Sequence, residues 1–226
     1  MKIAIVLLDN YITSNGDFGE LGKELLERVI DGEFIIFDYF NDRSFPDESL
    51  FDLIYLTGSR NDAFLQDSFT NELVFKVERV LKSDCKLLGV CYGHQIICRA
   101  IGLKVIRNPL GWEMGLTKIK GEIEFSINEM HRDIVEFDEL ILQKNRLTII
   151  GSTKICQIQG LRDDNFKFLT FQGHPEFNND ITLEMVQSHL NKGDIDEEFA
   201  KDCNNRSNCN SSSNVERIIA QFIKSL

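Results

Sequence analysis

Cys85-Lys-Leu-Leu-Gly-Val-Cys-Tyr-Gly-His-Gln-Ile-Ile-Cys-Arg-Ala-Ile-Gly102 joins two apolar segments through a glycine-flanked corner. Lys86 to Val90 reads as a short buried strand, and Gln95 to Ile101 carries Ile96, Ile97, Ala100 and Ile101 at helical spacing. Cys91 stands where the strand becomes the helix. Gly89 and Gly93 lack a Cβ, so neighbouring backbone can approach closely, and a nucleophile on such an elbow is exposed at the top of a sheet. The unpaired N–H groups and the positive dipole end of the following helix face the sulfur, which favours the thiolate. The competing reading is a small buried apolar cysteine. Glycines on both sides, placed at a strand-to-helix corner, are what an exposed nucleophile needs and a packed cysteine does not.

A second stretch points the same way. Phe166 to Phe171 reads as another short apolar strand and runs directly into Gln172-Gly-His-Pro-Glu-Phe177. His174 is a candidate base for Cys91, and Glu176, two residues on, is a candidate carboxylate to hold the imidazole in the correct tautomer. Pro175 stiffens the connection between them.

Gly89-Val-Cys-Tyr-Gly-His-Gln95 and Gly173-His-Pro-Glu176 resemble the two signatures of the class I (triad) glutamine amidotransferase family. Leu56-Thr-Gly-Ser59, after a strand at Asp52 to Tyr55, resembles the segment in which that family places part of its oxyanion hole. The matches span most of Met1 to roughly Leu190. Thr57-Gly-Ser-Arg-Asn-Asp-Ala63, Gly111-Trp-Glu-Met-Gly115 and the phenylalanine after Glu176 resemble a free-standing branch that includes gamma-glutamyl peptidases, with GMP-synthase-type amidotransferase domains also similar.

The resemblance implies a flavodoxin-like α/β fold and attack by Cys91 on the γ-carbonyl carbon of a glutamyl amide. Tyr92 N–H, next to the nucleophile, and Gly58 N–H would bind the oxyanion. Gln95 would contact the glutamyl main-chain groups. In Met130-His-Arg-Asp133 the related enzymes place a histidine-bearing loop beside the glutamyl pocket, so His131 is a candidate substrate-binding residue; an ordinary solvated loop is the alternative. No step of this chemistry needs a metal or an organic cofactor. The implied activity is hydrolysis of glutamine or a γ-glutamyl peptide. The alternatives are a glutaminase subunit that delivers ammonia to a separate synthase subunit, and a catalytically silent binding or regulatory module.

A chain of 226 residues with 42% hydrophobic content suits one α/β domain spanning 1–226. With 25 basic against 36 acidic residues, net charge −11, long-range attraction to nucleic acid or an anionic membrane is disfavoured, which leaves small molecules or proteins as partners. Six irregularly spaced cysteines form neither a disulfide framework nor a metal-ligand spacing, as expected for a reducing compartment. The run after Lys2 is cut by Asp9 and Asn10, too short for a signal peptide, and no segment approaches the roughly 18 to 20 apolar residues of a membrane helix. A soluble, cytoplasmic protein is expected.

Along the chain, Ile3 to Leu8 reads as a central parallel strand. Asp17 or a neighbour caps a helix reaching about Ile30, Phe34 to Tyr39 is a second strand, and Thr70 to Lys82 is a helix. This alternation predicts a parallel or mixed central sheet with helices on both faces and ligands at the carboxyl ends of its strands. Short β-branched segments at Thr117 to Lys120, Glu122 to Ile127 and Thr148 to Ile150 predict a small antiparallel addition. Trp112 and Glu113 fall on a loop, lining a channel or packing beneath it. A helix at Ile181 to Leu190 follows. Asn191 to Asn214 is too poor in apolar residues to repay its ordering and reads as a mobile low-complexity insertion before a last helix at Val215 to Leu226.

Overall fold

In the computed structural model, which describes residues 1–207 and 214–224, the first apolar run is β1 (Lys2–Leu7), buried at every position after Lys2. A ribbon of β2 (Ile12–Thr13) and β3 (Gly16–Asp17) leads into α1 (Phe18–Glu27). Asp17 caps α1 in a capping box: its carboxylate accepts from the Gly19 and Glu20 N–H groups, and Glu20 accepts from the Asp17 N–H at 3.0 Å. An N-cap side chain of this kind contributes about 1 kcal/mol. The chain continues through β4 (Glu33–Asp38), α2 (Tyr39–Asp42), β5 (Leu53–Leu56), α3 (Ser68–Val80), β6 (Lys86–Val90) and α4 (Tyr92–Ala100).

Beyond α4 the segments shorten. They are β7 (Val105–Arg107), a hairpin of β8 (Glu113–Ile119) and β9 (Phe125–His131), and β10 (Asp133–Val135), which pairs antiparallel with β7. Then come α5 (Glu139–Lys144), β11 (Leu147–Gly151), β12 (Gly160–Asp163), β13 (Phe168–Phe171), α6 (Asn179–Lys192), α7 (Glu197–Ser207) and α8 (Asn214–Lys224).

The central sheet is mixed, in the order β11-β12-β13-β6-β5-β1-β4. β13, β6, β5, β1 and β4 are mutually parallel, while β11 and β12 add an antiparallel edge. The segment at Thr148 to Ile150 therefore extends the central sheet, whereas the β8–β9 hairpin stands apart from it. Unbroken apolar strands follow from burial on both faces. Ala4, Val6, Ile54, Leu56 and Leu87 pack with Leu73, Val77, Ile96 and Ile97 of α3 and α4 on one side. Ile3, Ile5, Leu53, Tyr55 and Leu88 pack with α1, α8 and the hairpin on the other. Among the described residues no helix is long and apolar enough to cross a membrane.

The expectation of a mobile insertion at 191–214 needs correction. Residues 208–213 lie outside the described residues, and much of the remainder is helix α7. Average composition concealed two features that order it. Ala200 and Cys203 are buried in the cluster that also contains Met114 and Met185. Arg206 donates to the carbonyls of Met114 at 2.6 Å and Leu116 at 2.8 Å, so one polar side chain ties the helix to β8.

Candidate active site

The corner after β6 is strained. Cys91 has φ 48° and ψ −108°, and α4 begins at the next residue. A non-glycine residue in this region costs roughly 1–3 kcal/mol and persists only where its surroundings hold it. Cys91 N–H donates to Phe171 O at 2.9 Å, Gly93 N–H donates to Thr57 O at 3.2 Å, and a Cβ on Gly93 would fall 2.4 Å from Leu56 O. The elbow is thus bound to the ends of β13 and β5. Cys91 is only 7% exposed, less than the protruding nucleophile expected from sequence, because it lies in a solvent-open pocket of about 200 Å³.

His174 and Glu176 meet Cys91 there. His174 Nδ1 is 2.8 Å from Glu176 Oε1, and the imidazole lines the same pocket as Cys91, whose Sγ is 4.0 Å from Met130 O. A carboxylate only accepts, so Nδ1 carries hydrogen and Nε2 is the ring nitrogen left without a carboxylate. Burial alone would lower the His174 pKa, but the Glu176 carboxylate and Cys91 outweigh it and hold it up at about 10. The main chain is fixed by β9, since His174 N–H donates to Asn128 O at 2.7 Å and Asn128 Nδ2 donates to Phe177 O at 2.9 Å. The Phe177 ring stacks on the imidazole.

Gly58 abuts both groups: a Cβ there would lie 2.8 Å from His174 Cε1 and 3.5 Å from Cys91 Cβ. The Tyr92 side chain points elsewhere, its hydroxyl 3.0 Å from Thr70 Oγ1, which leaves its backbone as the part that belongs to the corner. Gln95 lines the pocket and donates through Nε2 to Asp133 O and Gln172 Oε1, both at 3.1 Å.

The Met130–Asp133 stretch is not a solvated loop. His131 ends β9, buried, with Nδ1 3.1 Å from Asp133 O and Nε2 3.2 Å from both Glu113 Oε2 and Glu129 Oε2. Burial opposes its charge, but the two carboxylates raise its pKa to about 10, while burial raises Glu129 to about 7. Glu113 likewise is buried at the start of β8 rather than on a loop, and Trp112 lines the pocket while packing on His189 at 4.6 Å between centroids.

Sequence spacing gave no metal set, yet Glu113, His131 and Cys156 bring ligand-type atoms within 4.8 Å of one another. Their existing partners account for them. His131 Nδ1 faces a carbonyl and so donates, its Nε2 faces two carboxylates as an imidazolium would, and Cys156 Sγ donates to Ile158 O at 3.4 Å.

Sequence reasoning missed Asp62, Arg107 and Asp133. Arg107 lies between the other two, Nη2 2.7 Å from Asp62 and Nε 3.1 Å from Asp133, on the wall of the pocket. Burial raises the Asp133 pKa to about 6, against the lowering effect of Arg107. The β7–β10 pairing sets Arg107 opposite Asp133, and Asp62 reaches them from the segment between β5 and α3, so no local pattern marks the three.

The family described as glutamine amidotransferase class-I matches residues 58–189. The chain is 33% identical over 191 residues to gamma-glutamyl peptidase 2 of Arabidopsis thaliana, covering 78% of this chain and 70% of that protein. It is 31% identical to gamma-glutamyl peptidase 3 of the same plant, over 81% of this chain and 75% of the relative. A glutamine amidotransferase from Thermotoga maritima shares the fold, with TM-score 0.70 at 17% identity across 100% of this chain and 95% of the other.

Proposed function

The chain belongs to the class-I glutamine amidotransferase family, and on that premise we propose that it hydrolyses the γ-glutamyl amide bond of glutamine or a γ-glutamyl peptide through Cys91. The observation that carries this reading is the convergence on one pocket of Cys91, on a strained strand-to-helix corner, and of His174, whose imidazole is hydrogen-bonded to Glu176 and flanks Gly58 together with Cys91. Identity of 31–33% to plant gamma-glutamyl peptidases supports hydrolysis over ammonia delivery.

In the proposed mechanism the Cys91 sulfur attacks the γ-carbonyl carbon, and the carbonyl π electrons move to oxygen. The N–H groups of Tyr92 and Gly58 receive that charge, as donors fixed before the reaction rather than reorganised during it. His174 is protonated at neutral pH, so Nε2 gives its proton to the departing nitrogen as the C–N bond breaks, leaving a γ-glutamyl thioester. Water then enters, Nε2 takes its proton, and collapse of the second tetrahedral species releases glutamate and the cysteine. Glu176 stabilises the imidazolium in both halves.

Gln95 and His131 shape the seat for the glutamyl end from beneath, through their hydrogen bonds to Asp133 O. The Asp62–Arg107–Asp133 set offers both signs of charge to a zwitterionic α-amino acid end. Purified protein alone, given glutamine or a γ-glutamyl dipeptide, is expected to release glutamate, and Cys91→Ala to abolish it. Release that begins only after a synthase subunit is added would overturn the hydrolase reading in favour of ammonia delivery.

A further inference from the structure

The pocket's positive side chains divide into two groups. Arg60 is neutralised by Asp9, with Nη2 2.7 Å from Oδ1, and Arg107 by Asp62 and Asp133. His189 pairs with Asp194 at 2.8 Å. Arg132 and Lys192 also line the pocket, and among the described residues neither has a carboxylate within 4 Å. They share one wall. Arg132 lies over the Trp112 ring at 5.8 Å, Trp112 packs on His189, and Lys192 follows His189 by three residues on α6, hence on the same side of that helix.

Arg132 and Lys192 therefore both keep their charge free of a carboxylate partner among the described residues, in a chain whose net charge is −11. Their concentration beside the candidate nucleophile creates a local positive field against a negative background, which favours an anionic ligand group at that wall. Glutamine has no such group beyond its amide. A γ-glutamyl peptide has one, the carboxylate of the half that departs as an amine. The planar Trp112 face beside it adds apolar contact for the same half.

We propose that Arg132 and Lys192 bind the carboxylate of the leaving half of a γ-glutamyl peptide, making this wall of the pocket the determinant that selects peptides over glutamine. The assignment rests on the γ-glutamyl reading of the site. Arg132 supplies a fork suited to a carboxylate, and Lys192 a mobile point charge. Both are exposed, so their replacement leaves the core untouched.

The test uses full-length protein carrying Cys91→Ala, titrated calorimetrically with γ-glutamyl-alanine and with its C-terminal amide. The free acid is expected to bind about ten-fold or more tightly than the amide, the scale of one charge-assisted contact. The ratio should shrink toward one at high salt and in the added Arg132→Gln/Lys192→Gln pair, while Arg132→Lys/Lys192→Arg keeps it. Equal binding of acid and amide, a preference that survives the glutamine pair, or binding of neither peptide overturns the proposal. If the preference behaves as expected but unsubstituted protein cleaves no γ-glutamyl bond, hydrolysis fails and the carboxylate seat stands.

Discussion

The ring of Phe177 lies flat on the imidazole of His174, with centroids 4.0 Å apart and planes 10° from parallel. Glu176 fixes one nitrogen of that imidazole and Phe177 fixes its plane, so the other nitrogen has one direction to point. An aromatic face also favours a cationic partner.

Phe177→Leu keeps apolar bulk but removes the π face. Steady-state kinetics should show kcat reduced about ten-fold with KM little changed, since orientation matters most in the transition state. The alkaline limb of the kcat/KM profile should move to lower pH as the imidazolium loses support. An unchanged profile would mean the stack is packing only.

His174→Ala should reduce turnover by several orders of magnitude and Glu176→Gln by less, because a reoriented imidazole still transfers protons. Adding Cys91→Ala to His174→Ala should cost little more, as residues acting as a unit are not additive. The backbone at Cys91 yields a separate expectation. With φ at 48°, Cys91→Gly should be more stable than Cys91→Ala by about 1 kcal/mol, measured by chemical denaturation. Equal stabilities would show that the corner stores no strain.

His131 and His174 are both held protonated to about pH 10, against an ordinary value of 6.5. A folded-state pKa raised in this way contributes stability that is complete below 6.5 and is lost as pH rises toward 10. Unfolding free energy should therefore fall between pH 6.5 and 9, by at most about 1.4 kcal/mol per pH unit for each histidine. Glu129, raised to about 7 from 4.5, acts in the same direction over its own lower interval. His94, pushed down to about 3 by burial, acts oppositely below 6.5. Denaturation at pH 7 and pH 9 checks the sign, and His131→Gln should flatten the slope.

Arg206→Ala should lower stability by about 1–3 kcal/mol, because it strands the carbonyls of Met114 and Leu116 under α7. Thermal denaturation should show a drop of several degrees. No shift would indicate that apolar contacts alone hold the helix.

The parallel strands and the helices between them were legible because each is a run of one period bounded by polar turns. The placement of Cys91, His174 and Glu176 around one pocket was legible because each lies within a few residues of a strand end, where local sequence carries the geometry. Asp62, Arg107 and Asp133 were not, since the pairing of β7 with β10 joins the last two and the segment after β5 brings in the first. His131 was seen as a candidate, but its two carboxylate partners sit on separate positions of the hairpin and give no contiguous signal. Helix α7 escaped because Ala200 and Cys203 are small and Arg206 reads as solvated until its carbonyl acceptors are known.

The close fit of backbone at the elbow sets how this protein tolerates genetic change. A single added methyl at Gly93 would strike the Leu56 carbonyl at 2.4 Å, and one at Gly58 would strike the His174 ring at 2.8 Å. Neither glycine has a side chain that could react, yet alanine at either position should silence the site as surely as loss of the sulfur. Natural variants that disable the protein should therefore gather at residues with no chemistry of their own.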